Sequence, residues 1–276
     1  MSTCSTCPSK NGCSKNKENC GVKNNPLNNV KNVIGVMSGK GGVGKSSISA
    51  LIAKQLNNLG YKVGVLDADI TGPSIPRLFG LKKEKAIMQD SMILPVSTNS
   101  GIKVISLNLL TENESDPVIW RGPMISGIVE QFWKDVYWGE LDYLVIDMPP
   151  GTGDVALTVM KSIPISGVVM VSVPQNLVSM IVSKAVNMAR KMDINILGVI
   201  ENMSYIKCPD CNKKISLFNG ESTNKFLEEM NLKLLAELPM INSINNLSEG
   251  ISSQEEIDLN EIFKPIVKEI IDDLKK

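Results

Sequence analysis

Three features of the sequence predict an α/β fold with a mostly parallel central sheet and helices on both faces. From Val30 onward, short apolar runs alternate with longer segments of helical periodicity, the pattern of parallel strands joined by crossover helices. The first run, Val33–Ser38, leads directly into Gly39-Lys40-Gly41-Gly42-Val43-Gly44-Lys45-Ser46. That stretch fits G-x-x-x-x-G-K-[ST], a loop that places backbone N–H groups around phosphates at the start of a helix. Two later runs end in aspartate, at Asp67 and Asp147, on the side where open α/β sheets bind ligands.

Residues 1–29 stand apart from the rest. They are rich in Asn, Lys and Ser, poor in aliphatic residues, and carry Cys4, Cys7, Cys13 and Cys20. Such a segment lacks the apolar area to fold alone and is expected to be a flexible arm unless its cysteines hold something. Residues 30–276 read as one domain. Val33–Ser38 is a buried parallel strand. Ser46–Leu59 is a helix, on the spacing of Ile48, Leu51, Ile52, Leu56 and Leu59, and Gly60 stops it. Lys62–Leu66 is the next strand and runs into Asp67-Ala68-Asp69. Ile93–Val96 and Ile102–Leu107 flank Asn99-Ser100-Gly101 as a hairpin. Pro123–Val136 is helical, and Leu144–Ile146 is a central strand ending at Asp147. Asp154 is expected to cap a helix reaching about Lys161. Val168–Val173 is a strand, Leu177–Met192 a helix and Ile194–Ile200 a strand. Near the end, Leu259, Ile262, Phe263, Ile266, Val267, Ile270, Ile271 and Leu274 recur at three- and four-residue steps. The polar face of that helix mixes both charge signs, which fits a closing helix packed on the sheet better than a membrane-surface helix.

Lysine plus arginine equal aspartate plus glutamate, 29 each, so no global field steers the chain onto nucleic acid or an anionic membrane. No run approaches the length of a spanning helix, and the N-terminus has no apolar signal core. A cytoplasmic protein is expected. Histidine is absent, which excludes Cys/His zinc fingers and histidine general bases. The six cysteines therefore read as ligands or redox groups rather than disulfides.

In the phosphate loop, Lys45 is expected at the β- and γ-phosphates and Ser46 on Mg²⁺. Lys40 is either solvated or reaches the nucleotide of a facing subunit, as an arginine finger does in trans. Asp147 has the position of a carboxylate that holds Mg²⁺ through water. Asp67 and Asp69 end a strand where a carboxylate holds a metal-bound water or orients the attacking one, although an aspartate there also commonly caps the next helix. The glycines of 147–154 permit rearrangement when the γ-phosphate leaves.

Cys208-Pro209-Asp210-Cys211 supplies two soft ligands where a tetrahedral zinc or an iron–sulfur cluster usually takes four. A two-fold homodimer completes the count. A cluster, a bridging zinc, a redox pair and structural thiols all remain open from the spacing. The arm presents C-x-x-C-x5-C-x6-C, which fits a second [4Fe–4S] centre, a zinc site or no metal.

With these segments in view, the chain resembles the Mrp/ApbC family of iron–sulfur cluster carrier ATPases. That family lies in the MinD-like branch of the deviant-Walker P-loop proteins, whose fold is that of MinD and the nitrogenase iron protein. The resemblance is carried by Gly39–Ser47, Asp67–Ser74, Trp120–Pro123, Trp138–Asp142, Asp147–Asp154, Pro174-Gln175, Glu201–Ser204 and Cys208–Cys211. It implies an ATP-dependent homodimer that holds a labile [4Fe–4S] cluster across its interface, receives it from a donor and passes it to apo-proteins. By that likeness Lys40 is the signature lysine, and Gly39, Gly41, Gly42, Val43, Gly44 and Ser47 complete the loop with Lys45 and Ser46. Asp69 positions water, Asp147 serves Mg²⁺, Asn202 sits near the base, and Cys208 and Cys211 carry the cluster. No N-K-x-D guanine signature occurs, which favours ATP. Two departures stand out. Cys4, Cys7 and Cys13 match the end of the four-cysteine motif of eukaryotic cytosolic relatives, but its distant first cysteine is missing and Cys20 lies downstream. Val178–Ile181 also replaces the small residues and acid of many bacterial members. Competing expectations are a MinD- or ParA-like positioning ATPase, a zinc-bridged metal-trafficking ATPase and a nitrogenase-iron-protein-like reductase.

Overall fold

The computed structural model describes residues 25–70, 72–111, 122–174, 176–208, 210–211, 213–216, 221–240 and 253–276. Cys4, Cys7, Cys13 and Cys20 lie outside the described residues, as do Trp120, Arg121, Gln175 and Pro209.

Strand β1 (Asn29–Ser38) has six consecutive buried residues at its C-terminal half. Successive side chains of a strand point to opposite faces, so such a run requires cover on both sides of the sheet. Its parallel neighbours are β7 (Glu140–Asp147) and β8 (Gly167–Ser172). Strand β2 (Val63–Asp67) pairs with β7 on the far side and with β6 (Lys103–Ile105). Strand β9 (Ile196–Lys207) pairs parallel with β8 and with β11 (Leu234–Pro239). Two short antiparallel strands, β5 (Val96–Ser97) and β10 (Lys214–Ser216), close the ends. The order is β10-β9-β8-β1-β7-β2-β6-β5, with β11 also on β9. This is the mostly parallel sheet expected.

Helix α1 (Lys45–Asn58) leaves the phosphate loop and packs against β1, β2 and β7. Then come α2 (Ile75–Leu78), α3 (Gly122–Lys134), α4 (Asp154–Ser162), α5 (Asn176–Lys191), α6 (Glu221–Glu229) and α7 (Ser253–Leu274). The closing helix α7 packs on α1, burying Leu259, Phe263, Ile266, Val267, Ile270 and Ile271. Burying each such side chain is worth roughly 1.5–3 kcal/mol. Its apolar stripe is thus occupied by the protein's own core, as a packed helix requires. No described helix is long and apolar enough to cross a membrane.

Three expectations are corrected. Asp154 does not cap α4: Gly153 holds the N-cap position without a side-chain bond and Asp154 is the first helical residue, where its charge still suits the helix dipole. Ile93 does not belong to the Val96 strand. It lies in β4 (Met92–Leu94), which pairs with β3 (Ile87–Gln89) in a separate two-stranded sheet. The turn between them places Asp90 and Ser91 at φ 49° and 64°, the left-handed pair of a tight hairpin. The strand expected to end at Ile200 continues to Lys207, and this extension carries the second half of the candidate site.

Candidate functional site at the carboxyl edge of the sheet

The parallel register brings three strand ends to one level. Val36 of β1 and Asp67 of β2 are both register partners of Asp147 on β7. The phosphate loop starts beyond the end of β1, so Lys45 and Ser46 reach back over Asp147. Lys45 Nζ lies 2.8 Å from Asp147 Oδ1 and 3.7 Å from Asp69 Oδ2. Ser46 Oγ donates to Asp147 Oδ2 at 2.6 Å, and Ser49 Oγ donates to Asp147 Oδ1 at 2.8 Å. Asp147 is fully buried and Lys45 is 6% exposed. A buried charge pair persists when hydrogen bonds satisfy its remaining lone pairs, and the two serines supply them.

Asp67 and Asp69 are neighbours with different surroundings. Asp67 is fully buried. Its Oδ2 accepts from Ser106 Oγ at 3.0 Å and from the Ile75 N–H at 3.2 Å, and its Oδ1 accepts from the Asp69 N–H at 3.2 Å. It therefore holds the backbone of Asp69 and of Ile75 at the start of α2, much as a helix cap would. Burial, with the neighbouring Asp147 charge, pushes its carboxyl up to about 8. Asp69 stands at the opening, 15% exposed on its side chain and facing Lys45. Of the two, Asp69 is the one placed to meet a ligand.

Gly42 and Gly44 have φ of 79° and 83°, the left-handed region that turns successive N–H groups toward one side of a loop. At Gly44 a second constraint applies. A Cβ there would meet Asn202 Nδ2 at 2.4 Å, because that amide donates to the Val43 carbonyl at 2.9 Å. Asn202 is 1% exposed and braces the loop from β9. Gly39 is pinned from the other side, since a Cβ would fall 2.9–3.0 Å from Ile181 side-chain and backbone atoms of α5. Ser38 Oγ donates to the Lys40 carbonyl at 2.9 Å, and the Gly151 N–H donates to the Ser38 carbonyl at 2.8 Å. The segment after Asp147 is thus tied to the phosphate loop. Lys40, Gly41, Gly42 and Ser47 lie at least partly exposed on the loop, and Val43 is buried beneath it.

The chemistry of this donor set fits a Mg²⁺–nucleotide. Lys45 and the loop N–H groups would hold phosphate oxygens. Ser46 and Asp147 would hold the metal, which supplies charge neutralisation at the phosphates.

Beyond Asn202, β9 turns away. Met203 takes a left-handed φ of 55°, and the pairing with β11 slips between Glu237 and Pro239, irregularities that re-aim a strand. The strand then enters an antiparallel hairpin with β10, and the Cys208 N–H donates to the Lys213 carbonyl at 3.0 Å. Cys208 and Cys211 sit in the hairpin turn, half-buried and exposed respectively. The Cys211 and Asp210 backbone N–H groups, then the Cys211 side chain, hydrogen-bond to the Cys208 sulfur and hold its pKa below the usual thiol value, which favours the ligating thiolate. Among the described residues no group of three or more Cys, Asp or Glu stands together as a metal site.

Several of these roles escaped the sequence. Ser49, Ser106 and Gly39's contact with Ile181 carry no motif signal. Ser49 lies one turn after Lys45 on the face of α1 toward β7, and that spacing alone would have marked it.

Residues 29–274 match the family described as "ParA: NUBPL iron-transfer P-loop NTPase". An iron-sulfur cluster carrier protein of Clostridium perfringens is 48% identical over 280 residues, covering 96% of this chain and 98% of that one. A nucleotide-binding protein of Archaeoglobus fulgidus, solved in complex with ADP, superposes with a TM-score of 0.70 at 42% identity, over 80% of this chain and 86% of that one. The septum site-determining protein MinD of Pyrococcus horikoshii, solved with Mg-ADP, superposes with a TM-score of 0.60 over 88% and 96% of the two chains. At 19% identity it shows the shared fold alone. The geometry of the phosphate loop and these matches together establish that the chain belongs to the ParA-type, NUBPL-like family of iron-transfer P-loop NTPases.

Proposed function

We propose that this chain is an ATP-dependent iron–sulfur cluster carrier. A homodimer holds a [4Fe–4S] cluster between the Cys208 and Cys211 thiolates of its two copies, receives it from a cluster donor and passes it to apo-proteins. ATP and Mg²⁺ bind at the phosphate loop, Lys40 faces the nucleotide of the second copy, Asp69 orients water, and hydrolysis times release. The cytoplasm is the expected compartment, and Cys4, Cys7, Cys13 and Cys20 are candidates for a second cluster.

The observation that carries this reading is the path of β9. One strand braces the phosphate loop through Asn202 and ends at the thiol pair six residues later. Six strand residues span at most about 20 Å. A shift of the loop on nucleotide turnover pulls directly on the element that aims the thiols. Coupling of this kind needs a bistable element that both sites bias, and the Met203 irregularity supplies a place for β9 to move. Zinc would need the same four thiolates and is the alternative cargo. A positioning ATPase acting at a membrane or on DNA would leave the thiols unused, and the buried stripe of α7 offers it no free apolar face.

The test is anaerobic reconstitution with iron and sulfide, followed by metal counts, Mössbauer spectra and native mass. About four iron and four sulfide per dimer, lost in Cys208→Ala while ATP binding is kept, are expected. Full cluster content in Cys208→Ala, or zinc alone in wild type, overturns the proposal.

A further inference from the structure

We propose that the cleft at the opposite edge of the sheet from the phosphate loop binds a small dicarboxylate, held between the Lys62 and Lys103 ammonium groups. The inference stands apart from the carrier reading and uses none of the cysteines.

The cleft has a volume of about 610 Å³, within the range of small-molecule sites. It lies where three adjacent parallel strands begin. Lys62 precedes β2, Lys103 is the first residue of β6, and Glu140 is the first of β7. Tyr61 and Tyr137 add aromatic surface to its lining. Tyr61 is held by edge-on packing against Tyr143, with ring centroids 5.0 Å apart. About 17 Å of extended chain separates Lys62 from Asp67 at the other end of β2, so this cleft and the nucleotide site are distinct.

Two cations face this space without a carboxylate partner. Lys103 is half-buried. Its Nζ donates to the Trp138 carbonyl at 2.6 Å and lies 5.4 Å from the Tyr137 ring centroid. Both contacts are with uncharged groups. Burial, and then the charge of Lys62, holds the Lys103 pKa below the usual lysine value, so the two ammonium groups repel each other. Lys62 is exposed. The Asp142 carboxylate that senses it is bonded to the Lys31 ammonium at 2.7 Å. Among the described residues neither Lys62 nor Lys103 forms a salt bridge. An anion between them would relieve the repulsion and pair both charges. Glu140 also lines the cleft, and its carboxylate accepts from Asn29 Nδ2 at 3.1 Å.

The donor set selects the class of anion. A site for a single phosphate is commonly built from free backbone N–H groups in a concave loop. Here the N–H groups of Gly60 and Gly101 already donate to the Asn57 and Thr98 carbonyls, each at 2.9 Å. The Gly139 N–H donates to Asn28 Oδ1 at 3.0 Å. What remains is two separate ammonium groups, each a point charge, beside aromatic surface. Two carboxylates on a short carbon chain match that arrangement, one for each lysine, with the methylenes against the rings.

The test is calorimetric titration of the full-length protein with succinate. Saturating Mg-ADP keeps the phosphate loop occupied, and circular dichroism checks the fold of each variant. Wild type should bind succinate with a Kd at or below about 1 mM, more weakly as salt rises. Lys62→Met, a change at an exposed side chain, and Lys103→Met should each weaken binding by about tenfold or more. Glu140→Gln should tighten it by removing a like charge from the lining. Acetate, with one charge, should bind about tenfold or more weaker than succinate. Absence of succinate binding in wild type, equal binding in Lys62→Met, or acetate binding as tight as succinate overturns the proposal. Phosphate binding that is tighter than succinate and lost in Lys62→Met assigns the cleft to phosphate and overturns the dicarboxylate.

Discussion

The phosphate-loop end of the sheet and the thiol hairpin are built in opposite ways. At the first, Lys45, Ser49, Asp67 and Asp147 are buried, and both oxygens of Asp147 are engaged by side chains from α1. At the second, the thiols sit in a turn at the edge of the sheet, half-buried and exposed. Within one chain, Lys45, Ser46 and Asp147 are held in place before any ligand arrives, which is what electrostatic catalysis requires. If the thiols hold a four-thiolate centre as proposed, the described residues leave that site two ligands short. The difference suits a carrier, because a cargo site that one chain closed by itself would give up its cargo slowly.

The strongest way to break that comparison is Asp147→Ala. It removes the nearer carboxylate from the buried Lys45 ammonium, leaving Asp69 at 3.7 Å, and takes an acceptor from Ser46 and from Ser49, which keeps the Lys45 carbonyl. Removing one partner of a buried ion pair costs about 3–5 kcal/mol. Urea melts of the nucleotide-free protein should show this loss, and phosphate release should fall by about a hundredfold or more. A variant of wild-type stability would mean that the site is not preorganised.

How far the sequence could be read follows the same division. Apolar runs ending in aspartate, with a glycine loop between strand and helix, predicted β1, β2, β7 and their convergence, because buried parallel strands announce themselves by composition. The apolar pattern of β9 ends at Ile200 because Glu201, Asn202 and Ser204 are polar. Their polarity serves the protein: the Asn202 amide holds Val43, and the Glu201 carboxylate accepts from Ser204 Oγ at 2.9 Å. Local periodicity cannot distinguish a strand's end from a strand whose side chains have been given another task. The β3–β4 hairpin was hidden for a different reason, since its turn uses two left-handed residues that are neither glycine nor asparagine. The hold of Asp67 on Asp69 and Ile75 is a tertiary fact, visible only once Ser106 and Ile75 arrive beside it.

Asp67 sharpens the comparison through pH. Its folded pKa near 8 lies above the ordinary 3.8. Between those values the folded protein keeps a proton that the unfolded chain has released. The group's contribution to stability is therefore complete below about pH 4 and is lost as pH rises toward about 8, with a slope of at most about 1.4 kcal/mol per pH unit. In Asp67→Asn this term is absent. The stability of the variant minus that of wild type, measured without nucleotide or metal, should rise between pH 5.5 and 7.5. A difference that stays flat over this range would show Asp67 ionised throughout, because the unfolded chain has already released that proton.

The smallest expected effect is the most discriminating. Cys208→Ser and Cys211→Ser alter a turn in which the Cys208 sulfur is held by Cys211 and Asp210, next to it in the chain, and Cys211 is exposed. The metal-free variants should melt within about 0.5 kcal/mol of wild type, although each should lose all bridging iron. Ladder bonds such as Cys208 N–H to Lys213 O are backbone bonds and survive either change. If instead the metal-free variants lose several degrees, the thiols themselves hold the hairpin. The cargo site would then be as finished as the nucleotide site, and release would require the hairpin to unfold rather than two copies to part.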